Sequence, residues 1–340
     1  MSFPHRLVTA ALFVPALLVA QDERYHDRPS DCRYDPPPGK ALEVRQRESA
    51  VLTDGFTASR VSSYSASASN LSGGDIRICS EYGRVEISDS DDDQVHVQIR
   101  WDGFGEGTTD PAAEAARVID VTPVRVFLTA DSGRLFVRVW HPFLGFTRPT
   151  TAPGGQPAWV SVRVLVPDRG AYRVSTEAFH GVVSLRRLTL SGAYLSGRVG
   201  EKLKGINGFQ GGTELYDVTL AGNLDVANPL GGDGAPVTAR LRIGSSSQVT
   251  IQSAGAINVA VQPHPDLGVR AFAAGATGAR VAIPTGTVFA PARPGYAHQA
   301  EAASTELEQR PRRVTITAIS GLAAANVSST PALPLAGRRF

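Results

Sequence analysis

Apolar and polar residues alternate one for one in a series of short runs along this chain, and that period of two restricts its fold more than any other feature. Clear cases are Arg84–Ser88, Val95–Ile99, Leu135–Val139, Val160–Val164 and Val314–Ala318. In each run alternate side chains point to opposite faces, so the apolar set meets a core while Arg, Gln, His, Ser or Thr face the other way. The runs are separated by Gly, Ser, Asn, Asp and Pro, the spacing of a sandwich, barrel or solenoid. Only Asp110–Ile119 reads as a helix, with Asp110 as N-cap and Pro111 at the first helical position, where its missing N–H costs nothing. The Ala-rich tract Ala297–Gln309 is interrupted by Ser304 and Thr305 and followed by Pro311, and is expected to be a loop.

The texture changes along the chain. From 41 to 166 the strands are well marked, and an antiparallel β region with one short helix is expected. From 167 to 320 short strands recur with Gly roughly every 15–30 residues, the range of stacked coils. Thr189–Gly192, Thr219–Gly222, Gln248–Gln252 and Gly255–Val259 belong to this series. The expected fold is all-β, a solenoid-like stack preceded by the antiparallel region, with a β-sandwich as the alternative. Residues 321–340 are expected to be a C-terminal tail.

His5 and Arg6 precede a mostly apolar run, Leu7–Ala20, and Ala20 is an acceptable cleavage point, so residues 1–20 are expected to be a secretory signal peptide. An uncleaved anchor is the other reading. No later segment is long and apolar enough for a membrane-spanning helix. The expected location is the periplasm or cell envelope, with residues 21–40 a polar arm. The chain has two cysteines, Cys32 in that arm and Cys79 in a strand. In an oxidising compartment they would close one disulfide around a long loop, contributing roughly 3–4 kcal/mol in the chain-entropy view. The alternative is two unpaired thiols, one of them buried.

With 34 basic against 32 acidic residues, the formal charge of +2 leaves no field suited to nucleic acid. No Gly-x-Ser-x-Gly elbow or phosphate-binding loop occurs, and the seven His are scattered. No catalytic residue, cofactor site or metal site is therefore assigned. The run Asp89, Asp91, Asp92, Asp93 lacks the Gly and Glu of a calcium loop and reads as a solvated hairpin tip.

The stretch Ser72–Val97, the Ala-rich helix after it, then Val162–Pro167, Val174–Thr176 and the Gly-x-Val strand at Gly181 together resemble the bacterial "putative adhesin" family of unknown function. That resemblance covers roughly residues 70 to 285 and implies an exported β-solenoid and an envelope location. It implies no reaction. The pattern is broken at Phe179–His180, 202–212 and 228–236, where loops are inserted. The expected role is a non-catalytic binding or structural envelope protein. A refinement is an extracytoplasmic accessory subunit that docks on a membrane protein complex and stabilises it. The alternative from another class is a polysaccharide hydrolase or lyase, which a groove gathering Asp and Arg would favour. The expected partner is a protein, and the contact segment is the Pro-rich stretch 140–157. It carries Trp140, Phe143, Leu144, Phe146 and Arg148, residue types that dominate binding hot spots.

Overall fold

The computed structural model describes residues 45–48, 52–54, 57–67, 74–105, 109–120, 124–129, 134–139, 158–168, 170–197, 211–228, 235–284, 286–289 and 295–329. The strands in chain order begin with β1 (Arg45–Glu48), β2 (Leu52–Asp54), β3 (Thr57–Ser67), β4 (Asp75–Tyr82), β5 (Val85–Ser90) and β6 (Gln94–Phe104). Helix α1 (Pro111–Asp120) leads to β7 (Val124–Thr129), β8 (Arg134–Val139), β9 (Trp159–Pro167), β10 (Tyr172–His180), β11 (Val182–Arg186) and β12 (Thr189–Gly197). Then come β13 (Gly212–Leu220), β14 (Leu224–Ala227), β15 (Val237–Ile243), β16 (Ser247–Ser253), β17 (Ile257–Val261) and β18 (Leu267–Gly275). The chain ends through β19 (Gly278–Ala282), β20 (Gly286–Phe289), β21 (His298–Ser304), a 3-10 turn at Leu307–Gln309, β22 (Arg312–Ser320) and β23 (Ala324–Ser328).

These strands form two layers of parallel strands, and each rung of the stack contributes one strand to each layer. In layer A the order is β9, β5, β11, β13, β15, β17, β23, β19, every neighbour parallel. In layer B it is β8, β4, β10, β12, β14, β16, β22, β18, again all parallel. The rungs do not stack in chain order. The β4–β5 rung lies between β8–β9 and β10–β11, and near the other end β22–β23 lies between β16–β17 and β18–β19.

The alternation read from sequence becomes continuous rows of side chains along the stack. In layer A the register aligns Val97, Val164, Ile87, Leu185, Leu215, Ala239, Val259, Val327 and Val281. In layer B it aligns Leu135, Ile76, Val174, Ala193, Leu224, Val249, Ile316 and Ala271. Both rows belong to one hydrophobic cluster, the core between the layers, with Ala193 and Val281 partly buried against it. Each rung removes apolar surface of the next from water, which is why a single rung has no stability alone.

Antiparallel strands extend the stack at both ends. β6 and then β3 continue layer A beyond β9, with β1 and β2 on β3, and β7 continues layer B beyond β8. At the other end β21 and then β20 follow β18. Helix α1 lies over β6 and β3 and buries Ala115, Val118 and Ile119. Asp110 caps it as expected, its Oδ1 accepting the Ala113 N–H at 3.0 Å. The helix approaches so closely that a Cβ at Gly103 would lie 2.1 Å from the Ala115 carbonyl oxygen, and one at Gly105 1.9 Å from that of Pro111.

The expected antiparallel region 41–166 contributes β4, β5, β8 and β9 to the parallel stack, the expected tail 321–340 contributes β23, and two local expectations are also corrected. The tract 297–309 is not a loop. Its first half is β21, antiparallel to β18, with Ala302 and Ala303 buried and Arg270 donating to Glu301 at 2.8 Å. Sheet pairing and burial outweigh the helical preference of alanine, and small side chains suit a crowded sheet end. The acidic run is not a hairpin tip either, because β9 lies between β5 and β6 and pairs with both. Residues 91–93 therefore carry the chain across a third strand.

Candidate functional site

The acidic turn borders a groove of about 820 Å³ on the outer face of layer A. Its floor is made by two outward rows running across β3, β6, β9 and β5. One is Ser63, Gln98 and Arg163, continued outside the groove by Glu86, and the other is Ser65, His96, Leu165 and Ser88. Glu86, His96, Gln98 and Arg163 each lie between two inward aliphatics and are surface positions by alternation alone. Only the register makes neighbours of them.

Asp92 organises the turn. It accepts hydrogen bonds from the Ser90 hydroxyl at 2.7 Å and the Gln94 N–H at 3.0 Å, and it lies 2.8 Å from His96 Nε2. These contacts, the Ser90 hydroxyl foremost and then His96, lower its pKa to about 2. Asp89 accepts from Arg187 Nε at 2.8 Å. Arg187 occupies a left-handed corner, φ 52°, and its backbone N–H donates to the Tyr216 carbonyl of the next rung. Asp217 repeats that corner one rung on, at φ 55°. Beyond the groove a belt of charge continues along layer A. Arg163 lies 3.6 Å from Glu86, Arg84 donates to Glu214 at 3.1 Å, and the Arg186 guanidinium sits 5.0 Å from the Tyr216 ring centre. Burial, with Glu214 beside it, raises the Tyr216 phenol above its ordinary pKa, and Arg186, Arg84 and Arg240 partly offset this.

The groove does gather carboxylates and arginines, and Asp92 is not the acid of an acid–base pair. Asp92 is held ionised and so has no proton to donate at neutral pH. The Ser90 hydroxyl is bonded to Asp92, not to His96, so the three do not form a nucleophile relay. Among the described residues no group of three His, Cys, Asp or Glu could hold a metal ion.

A second feature concerns where the chain turns between layers. Every crossing from layer B to layer A lies at one corner of the stack. There the segments 140–158, 198–211 and 228–236 are inserted between β8 and β9, β12 and β13, and β14 and β15. At the opposite corner the crossings 168–171, 187–188, 221–223, 244–246 and 262–266 are short, while those from β5 to β8 and from β19 to β22 carry β6, α1 and β7, and β20 and β21. The inner side of the first corner is lined by small polar residues that tie rung to rung. Asn228 Oδ1 accepts from the Gly197 N–H at 2.7 Å and from the Thr213 hydroxyl. The Ser253 hydroxyl donates to the Ala235 carbonyl, and that of Ser320 to the Gly255 carbonyl at 2.8 Å. The roots of two insertions are therefore fixed by buried hydrogen bonds.

Of the residues singled out in sequence, Cys79 lies on the outward side of β4, yet is only 4% exposed and is not a free thiol. Cys32, Trp140, Phe143, Leu144, Phe146 and Arg148 lie outside the described residues, as do the signal segment and the arm. His96 and the acidic run were visible in sequence as surface features. That Arg163, Arg187, Glu86 and Glu214 lie beside them and one another was not, since nothing local marks which outward residues of distant strands become neighbours.

No family model matches the chain, and no curated protein matches it. Solved structures similar to it include a "putative cell adhesion protein" from Clostridium sporogenes, 10% identical, covering 84% of this chain and 100% of its own, with a TM-score of 0.40. A "putative adhesin" from Bacteroides fragilis is 10% identical over 86% of this chain and 100% of its own, with a TM-score of 0.25. Another from Parabacteroides distasonis is 10% identical over 79% and 97%, with a TM-score of 0.22. These carry the description that the sequence resemblance pointed to.

Proposed function

We propose that this chain is a non-catalytic, exported binding module of the cell envelope whose partner, a protein, docks on the corner that carries the insertions. The observation that supports this is that three rungs carry extended connections at that one corner. Lengthening a surface connection costs little, whichever corner it leaves from. The long connections at the other corner build strands and a helix that extend the sheets, whereas these three join the two strands of single rungs, a crossing that takes only residue 181 between β10 and β11 and 254–256 between β16 and β17. In stacked-repeat proteins per-repeat insertions on one face commonly build the binding face.

In this reading the segment 140–157 supplies the anchors, Trp140, Phe143, Leu144, Phe146 and Arg148, and the stack supplies a rigid frame. The partner lies in the envelope or on the extracytoplasmic face of a membrane complex, which the module stabilises. A polysaccharide hydrolase would need a protonated carboxyl in the groove, and Asp92, held ionised by Ser90 and His96, does not supply it.

The test replaces Phe143, Leu144 and Phe146 with Ser in the full chain, expressed in its own host. Thermal stability and the recovery of partners from native membranes are then compared with wild type. Unchanged stability with lost association is expected. A melting temperature lowered by several degrees would make these residues core, and unchanged association would remove the docking role.

A further inference from the structure

The corner opposite the insertions holds a second concavity, of about 460 Å³, between the ends of β13, β15 and β17 and the start of β22. Its wall includes Thr219, Arg242, Gly244, Gln262, His264 and Arg312, and none of its lining residues is acidic. That separates it from the groove, where Asp89, Asp91 and Asp92 face the basic groups.

The donors here are oriented. Arg312 Nη1 donates to the Ile243 carbonyl at 2.9 Å, and Nη2 lies 2.6 Å from His264 Nδ1. The Asp266 N–H also donates to Nδ1, at 3.2 Å. Both contacts converge on Nδ1 of His264, whose ring lines the cavity. The Asp266 carboxylate lies 3.7 Å from the same Nδ1 and is exposed to solvent. Glu308, the other nearby acid, is occupied by Arg313. Arg242 is exposed and makes no hydrogen bond or ion pair among the described residues. Two guanidinium groups from different rungs, one fixed and one without a counter-ion, thus face a cavity with no carboxylate in its wall. Planar N–H forks of this kind match oxyanions, the charge-assisted bonds to which are about twice as strong as neutral ones.

We propose that this cavity is an oxyanion-binding site that takes a carboxylate, sulfate or phosphate group. Its volume falls within the range of small-molecule clefts, so there is room for the group to be carried on a single sugar-sized unit. The site shares no residue with the docking corner and stands or falls apart from it.

The test is calorimetric titration of the full chain with sodium glucuronate, inorganic sulfate, inorganic phosphate and, as a neutral control, glucose, all at one ionic strength. Saturable binding of at least one anion and none of glucose is expected. Tighter binding of glucuronate identifies a sugar acid as the source of the oxyanion, and tighter binding of sulfate or phosphate identifies a free inorganic anion. Arg242→Gln, at an exposed position that leaves the fold intact, should weaken binding at least tenfold. Arg280→Gln, on the outward face of β19, should not change it. Absence of saturable binding to all three anions, equal binding of glucose, or full affinity in Arg242→Gln would overturn the assignment.

Discussion

Replacing Leu215 with Ala tests the rung register directly. Leu215 is fully buried in the layer A row, with Leu185 on the rung before it and Ala239 on the rung after. The substitution removes three carbons, worth roughly 2.4 kcal/mol at about 0.8 kcal/mol for each buried methylene. The cavity term adds to this, because Ala239 is too short to swing into the space and Leu185 is held by its own row. A total loss of about 3–4 kcal/mol is expected, within the usual range for Leu→Ala in a core. The control is Thr238→Ala, one rung on and facing outward, which should change stability by no more than about 0.5 kcal/mol. Both are read by equilibrium urea unfolding followed by far-ultraviolet circular dichroism, with the slope compared to confirm that the same surface unfolds. A one-residue slip would turn Leu215 outward and bring Glu214 and Tyr216 in. A loss below about 1 kcal/mol for Leu215→Ala, or an equal loss for Thr238→Ala, would therefore refute the register and the two-layer stack built on it.

Other outcomes follow from the same contacts. The Asp92 carboxyl should titrate near pH 2 by NMR, and Ser90→Ala should move its midpoint up toward 3.8. Because its folded pKa is depressed, its contribution is complete above 3.8 and disappears as pH falls through about 2; a wild-type midpoint near 3.8 would contradict the turn geometry. Tyr172 is fully buried and donates to the Pro167 carbonyl at 2.6 Å, so Tyr172→Phe leaves that acceptor unpaired and should cost about 1–2 kcal/mol in thermal unfolding. An unchanged melting temperature would argue against the bond. Intact mass of the exported protein is expected to lack residues 1–20 and to fall two hydrogens short of the reduced form, as a Cys32–Cys79 bridge requires. Recovery of Met1, or of two alkylatable thiols without reductant, would count against it.

What the sequence determines by itself is local. Alternation selects strands and assigns inside from outside, which is why Val95, Val97 and Ile99 are buried while Gln94, Gln98 and Arg100 are exposed. Asp110 and Pro111 mark the helix start because capping needs only neighbouring groups. The recurrence of Thr189–Gly192 at Thr219–Gly222 announces stacked rungs, and these segments do pair across β12 and β13. Partner choice is another matter, since a strand with period two offers the same edge to any other such strand. That the β4–β5 rung sits between β8–β9 and β10–β11, and β22–β23 between β16–β17 and β18–β19, is decided by which rows fill the core together. The same tertiary choice makes 298–304 a strand against its alanine content, sends 91–93 across β9, and lines up Arg163 with Glu86. It also brings Arg242 and Arg312, seventy residues apart, to one cavity, because hydrogen bonds between rungs take no account of distance along the chain.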